Sequence, residues 1–149
     1  AVVDHLGVIG QVTRAFPFVS EVSLVTDKSQ SVPVQSVRSG VRSITYGLGH
    51  DGAIELRFMP VNADVQNGDL FVTSGIDGVY PPGQPVAVVT NIERNAQSFA
   101  RIICAPAGAV SSYTRVAVLS DPPPRPPNPL KEPAPVPAPP KPKSTERTP

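Results

Sequence analysis

Tryptophan is absent from the 149 residues, and cysteine and methionine occur once each. The lone Cys104 can form no intramolecular disulfide and no zinc site of several thiolates, so the redox compartment is left open. Long apolar runs are missing as well. None exceeds four residues, as in Val86 to Val89, against the ~18 that a membrane-spanning helix needs. The opening residues lack a basic region followed by an apolar stretch and a cleavage site, so no secretory signal is read. Ala1 opens the chain and Met59 is its only methionine. We therefore expect a piece of a longer protein, whose anchor or targeting segment lies elsewhere. Charge of one sign is also lacking, with 13 Lys/Arg against 12 Asp/Glu. Neither end of the chain carries the dense basic stripe that a phosphate backbone or an anionic membrane surface selects.

Proline is plentiful but uneven. Of 20 prolines, 13 lie from Pro122 to Pro149, whereas all 11 glycines precede Ser120. That shift predicts a folded body over residues 1–120 and a tail over 121–149. The larger aliphatic side chains of the tail are Leu130 and Val136, too few to offset the entropy of ordering it. The tail is expected to be disordered with a polyproline II bias, a spacer of roughly 90 Å at ~3.1 Å per residue. The sharper alternative is a ligand for an aromatic-lined groove, with Arg125 and Lys141 beside Pro-x-x-Pro patterns.

Within 1–120 the hydrophobic period is 2. Ile54, Leu56 and Phe58 alternate with Glu55 and Arg57, the pattern of a half-buried strand. Similar runs cover Gly7 to Arg14, Val19 to Thr26, Ser31 to Arg38, Val41 to Leu48, Leu70 to Thr73, Pro85 to Ile92, Phe99 to Ala105 and Arg115 to Ser120. Turn residues separate them, among them Asn67-Gly68-Asp69 and Pro81-Pro82-Gly83, and valine favours the pleated surface. Nine short strands at roughly ten-residue spacing predict an all-β barrel or sandwich. Helix is limited to a turn or two around 61–65 or 108–113.

The residues capable of acid-base or nucleophilic work are few. His5 and His50 are the imidazoles, and His50 sits in a glycine-flanked turn. Ser74 in Thr73-Ser74-Gly75 is the most exposed to suspicion as a nucleophile, yet Val72 and Ile76 occupy the places where a nucleophile elbow needs glycine. A strand-end serine bonding a nearby backbone group explains it equally. Asp64 and Asp69 flank a turn with no second cluster of ligands at metal spacing. Gly47-x-Gly49-x-x-Gly52 matches a phosphate loop by spacing only, since no helix pattern follows it, and it reads as a hairpin. Arg38, Arg42, Arg57, Arg94, Arg101 and Arg115 are spread over strands, without the interleaved aromatics that base stacking uses. No cofactor is expected.

One stretch is more specific. Gly68-Asp69-Leu70, Thr73-Ser74-Gly75, Gly78 and Pro81-Pro82-Gly83-x-Pro85-Val86, preceded by Gly7-Val8-Ile9-Gly10-Gln11-Val12, Leu24-Val25-Thr26-Asp27 and Val32-Pro33-Val34, stand in one order across residues 7 to 119. This arrangement resembles the rod shape-determining protein MreC family. Tyr80 replaces the family's usual Phe and Ala87 its common Gly. On that resemblance Gly7, Gly10, Asp27, Gly68, Asp69, Thr73, Ser74, Gly75, Gly78, Pro81, Pro82 and Gly83 are structural motif positions. It also implies a bacterial inner-membrane protein with one N-terminal membrane helix, a coiled coil and two periplasmic β-barrels likened to chymotrypsin, of which this chain holds the second and lacks most of the first.

The function implied is a non-enzymatic scaffold of the cell-elongation machinery. Such a scaffold self-associates and recruits the elongation-specific penicillin-binding transpeptidase, with MreD and MreB as further partners and no nucleic acid. Two alternatives belong to other classes. One is a two-barrel serine hydrolase using Ser74 with His5 or His50, and the other is a peptide-binding barrel whose own tail folds over its groove. Exposed aromatics favour interface cores, which makes Phe16, Phe18, Tyr46, Tyr80 and Tyr113 the partner-surface candidates.

Overall fold

The computed structural model describes residues 1–49, 52–94, 99–110 and 115–120. His50, Tyr113 and the proline tail fall outside these. Among the described residues ten strands run in chain order: β1 (Val2–Val3), β2 (Val8–Ala15), β3 (Ser20–Leu24), β4 (Ser31–Ser36), β5 (Arg42–Gly47), β6 (Ile54–Pro60), β7 (Leu70–Thr73), β8 (Pro85–Glu93), β9 (Phe99–Pro106) and β10 (Ala117–Val118). Nine coincide with runs read from the sequence. The two-residue β1 has no pattern of its own.

Six strands close into a barrel in the order β4-β5-β6-β9-β8-β7, the seam being made by β4 against β7, where Val34 pairs with Thr73 and Ser36 with Phe71. A barrel of this size is filled by its own inward side chains. Alternation, shifted in phase by irregularities before Met59 and at Val86, selects them: Val32 and Val34 from β4, Ile54, Leu56 and Met59 from β6, Phe71 from β7, Val86 and Val89 from β8, Ile102 and Cys104 from β9, all at most 2% exposed. Each large aliphatic or aromatic side chain so buried contributes ~1.5–3 kcal/mol. Burial pushes the Cys104 thiol up to about 12, which makes it packing rather than chemistry.

The remaining strands form a sheet ordered β10-β1-β2-β3. It is fastened to the barrel at several places. Val3, Val8 and Val25 join the barrel's hydrophobic cluster, so one core serves both parts. Asp4 takes the N–H groups of Leu6 and Gly7 at 2.8 Å on one carboxylate oxygen and that of Ala109 at 2.9 Å on the other. Desolvation opposes ionisation there, but those three N–H groups win and hold the carboxyl below its ordinary value.

Two expectations are corrected. The stretches 61–65 and 108–110 are not helical. The first is folded by short bonds, Ala63 N–H to the Pro60 carbonyl and Val65 N–H to the Ala63 carbonyl, and the second is held by Asp4 and by a Val110 to Gly108 bond. The second correction concerns Phe58. It does not follow Ile54 and Leu56 inward: it is 69% exposed, and Met59 takes the buried place at 1%. The β6–β9 register jumps between Leu56, opposite Ile102, and Met59, opposite Ala100, so three steps on β6 answer two on β9. This bulge turns Arg57 and Phe58 both outward.

Candidate partner-binding surface

The motif positions build one corner of the barrel. Arg38 reaches across from the turn after β4 and grips Asp69 with two bonds, Nε to Oδ1 and Nη2 to Oδ2, both 2.8 Å. The same guanidinium donates to both oxygens of Asp64, at 2.9 and 3.0 Å. Asp69 also accepts the Gln66 N–H at 2.9 Å. The hydrogen bonds from Arg38 outweigh the desolvation and hold the Asp69 carboxyl below the usual 3.8. Two carboxylates are thus consumed by one cation, and no group of three metal-ligating side chains occurs among the described residues.

A pH dependence follows. Because Asp4 and Asp69 are depressed in the folded state, they stabilise it fully above their ordinary value of 3.8. As pH falls through that value the unfolded chain binds protons first, and the contribution disappears once the folded carboxyls protonate. Thermal melts from pH 6 to 2 are expected to stay level down to about pH 5 and then fall. Asp69→Asn should flatten the fall, and an equal slope in that variant would contradict the assignment.

Thr73, Ser74 and the prolines form the adjoining corner. The buried Thr73 hydroxyl donates to the Pro81 carbonyl and accepts the Gln84 N–H at 2.9 Å. Ser74 donates its hydroxyl to the Pro33 carbonyl at 3.2 Å, and the same carbonyl accepts the Ser74 N–H at 3.0 Å. The side chain thus has a backbone partner, and His5 is exposed on the loop after β1. Asp77 closes its turn by accepting the Val79 and Tyr80 N–H groups. Gly68, Gly75, Gly78 and Gly83 all have positive φ, whereas Gly7 and Gly10 are needed for close approach. A Cβ on Gly10 would lie 2.1 Å from the Ser23 carbonyl oxygen. Asp27 caps its own turn, receiving the Ser29 N–H at 3.3 Å.

The partner-surface candidates separate. Tyr80 is corrected: it is 3% exposed, with burial and then the Asp77 charge raising its phenol to about 12 and no partner for its hydroxyl among the described residues. It belongs to the core. Tyr80→Phe is expected to leave stability unchanged or raise it by about 1 kcal/mol, since it deletes an unpaired buried hydroxyl. A loss above about 1 kcal/mol in urea unfolding would reveal a hydrogen bond there. Phe16 and Phe18, on the turn joining β2 to β3, are 54% and 102% exposed. Tyr46 is half-buried on the outer barrel wall, with the Arg57 guanidinium 4.7 Å above its ring. Tyr113 lies outside the described residues.

The sequence reading missed a third aromatic group. Phe58 and Phe99 meet edge to face on the same outer wall, centroids 6.2 Å apart at 90°. Arg57 and Arg101 flank them, each donating to Glu55, at 3.3 and 3.2 Å. Exposed rings beside arginines on a rigid sheet are the composition of interface cores. The signal that would have found Phe58 is the bulge, which alternation counting does not register.

Residues 1–120 match the family described as "Rod shape-determining protein MreC, barrel core". The chain belongs to this family. It is 39% identical over 118 residues to the cell shape-determining protein MreC of Haemophilus influenzae, covering 79% of this chain and 34% of that one. The chain therefore spans about a third of that MreC. Among solved structures, MreC from Pseudomonas aeruginosa superposes with a TM-score of 0.71 at 38% identity, over 73% of this chain and 71% of that one. A structure described as a complex between penicillin-binding protein PBP2 and MreC from Helicobacter pylori matches with a TM-score of 0.61 over 74% and 69%, at 22% identity, a likeness of fold.

Proposed function

We propose that this chain is a non-enzymatic scaffold domain that works on the periplasmic side of the bacterial inner membrane. It is held there by an N-terminal helix outside the present sequence, and controls rod shape by recruiting and activating the elongation-specific penicillin-binding transpeptidase. The observation that carries this reading is family membership over the whole body, residues 1–120, joined to the Helicobacter pylori MreC being described in complex with PBP2. Self-association, MreD and MreB complete the assembly in this reading. Residues 1–120 are the working body, and the tail from 121 is a spacer.

Activation by a scaffold has a thermodynamic condition: the surface must bind the competent state of the enzyme more tightly than the idle one. The rigid, closed barrel suits this, because a surface that does not reorganise loses less entropy on binding. Adding the 149-residue chain to the transpeptidase's periplasmic region should raise the rate of acylation by a fluorescent penicillin about 5-fold or more. An unchanged rate would contradict activation. In the same experiment a fluorophosphonate probe should leave the chain unlabelled, and labelling lost in Ser74→Ala would replace the scaffold by a hydrolase.

A further inference from the structure

Asn67-Gly68 is the one Asn-Gly pair in the sequence, and the Asn67 side chain is exposed to water. Glycine after asparagine favours deamidation, because no Cβ hinders the glycine nitrogen. The Gly68 N–H loses its proton to hydroxide, and the nitrogen attacks the Asn67 Cγ. A C–N bond closes a five-membered succinimide, while the side-chain NH2 takes a proton from water and leaves as ammonia. Water then opens the ring at either carbonyl. Asparagine and water thus become aspartate or isoaspartate and ammonia, with no oxidant and no enzyme required.

The fold opposes the ring closure. The Asp69 N–H donates to the Gln66 carbonyl at 3.1 Å, and Gly68 has a φ of +88°, a sign Asn67 does not share. These are the marks of a type II turn, which sets ψ of its second residue near about +120°. That angle swings the Gly68 nitrogen away from the Asn67 Cβ, whereas the ring needs both on one side of the Cα–C bond. The Gly68 N–H is moreover given to the Val89 carbonyl at 2.9 Å, so the proton that must leave is engaged. Three further contacts hold the turn: Val89 N–H to the Asp69 carbonyl at 3.0 Å, Gln66 N–H to the Asp69 carboxylate at 2.9 Å, and the two-bond grip of Arg38 on Asp69.

The same contacts stand at the barrel seam. Leu70 follows the turn directly and begins β7, which pairs with β4. Isoaspartate routes the main chain through Cβ, which adds one backbone atom between residues 67 and 68. It also leaves a carboxylate near Asp64 and Asp69, which already share one cation.

We propose that Asn67 is a deamidation site gated by its own turn. It is unreactive while Val89 and Arg38 hold residues 66–69 closed, reactive when the turn opens locally, and unable to close again once isoaspartate has formed. The modification is spontaneous and one-way, so its extent records how often this end of the β4–β7 seam opens.

The test is incubation of the 149-residue chain in mildly alkaline buffer, native and in urea that unfolds it, followed by digestion and mass spectrometry. Exchange of NH2 for OH is read as a mass gain placed on residue 67 by fragmentation, and isoaspartate by its separate elution. The native rate is expected to be at least about 30-fold below the unfolded rate, because only the opened fraction reacts. Arg38→Gln, checked by circular dichroism to be folded, should react at least about 5-fold faster than native wild type. If that variant does not fold, hydrogen exchange of the wild-type Gly68 N–H takes its place, and its protection should agree within about 3-fold with that of Asn67. The isolated isoaspartate form should melt about 5 °C or more below the unmodified chain. A native rate within about 3-fold of the unfolded one, or a wild-type rate in folded Arg38→Gln, would overturn the gate. An unprotected Gly68 N–H would do the same. A mass gain placed on Asn62 or Gln66 instead would overturn the site, and equal melting of the two forms would overturn the failure to close again.

Discussion

Thr73→Val is expected to lower the stability of the folded body by about 2–4 kcal/mol although the side chains are nearly the same shape. Thr73 is 2% exposed, its hydroxyl giving a proton to the Pro81 carbonyl and receiving the Gln84 N–H. Two further backbone bonds, Thr73 N–H to the Gln84 carbonyl and Gly83 N–H to the Thr73 carbonyl, lock the same corner. Valine keeps the volume and orphans a donor and an acceptor, each costing ~1–3 kcal/mol when buried. In a body of this size that corresponds to a Tm lower by on the order of 10 °C. Thr73→Ser, which keeps the hydroxyl and loses one methyl, should cost about half as much. If valine and serine melt together, the hydroxyl is not what holds the proline corner.

Gly7→Ala has the second large effect, for a different reason. A Cβ at residue 7 would lie 2.4 Å from the Pro85 carbonyl oxygen and 3.2 Å from the Ala107 Cβ. Both neighbours are fixed, Pro85 by starting β8 and Ala107 by its bond to the Val86 carbonyl. The sheet carrying β2 must lift from the barrel to make room, and the Asp4 carboxylate that accepts the Gly7 N–H moves with it. Overpacking of this kind costs ~1–3 kcal/mol and sometimes more. Gly68→Ala is the comparison: φ is +88° but nothing lies within 4 Å of the added methyl, so only the ~1 kcal/mol backbone penalty applies. Urea midpoints should rank wild type above Gly68→Ala above Gly7→Ala. The reverse ranking of the two variants would mean that the sheet rides loosely on the barrel.

These two positions mark what was legible in the sequence. Alternation over Ser31 to Arg38 and Phe99 to Ala105 was read correctly as strand, because a strand with one buried face writes its period directly into the chain. Motif order pointed to the family and hence to closure of the barrel. Periodicity alone did not reach that closure, since the β4–β7 pairing joins residues far apart in sequence. The β1–β10 pairing, Val2 with Val118, was invisible for the same reason.

Phe58 failed differently. A bulge adds one residue and inverts the faces beyond it, so the ring that alternation assigned to the core lies exposed on the outer wall against Phe99. Tyr80 erred in the opposite direction: its turn of Asp77, Gly78 and prolines suggested a surface, but the side chain falls back into the barrel. Arg38 carried no motif, and its bidentate grip on Asp69 emerged only once β4 and β7 were neighbours.

Recruitment is tested most directly by calorimetric titration of the wild-type 149-residue chain into the periplasmic region of the elongation transpeptidase at physiological salt. A saturable isotherm with a Kd of about 1–10 μM or tighter is predicted, as a single aromatic-centred contact supports. No saturable heat at about 100 μM of each protein would contradict the account, and would leave this barrel without the recruiting surface assigned to it.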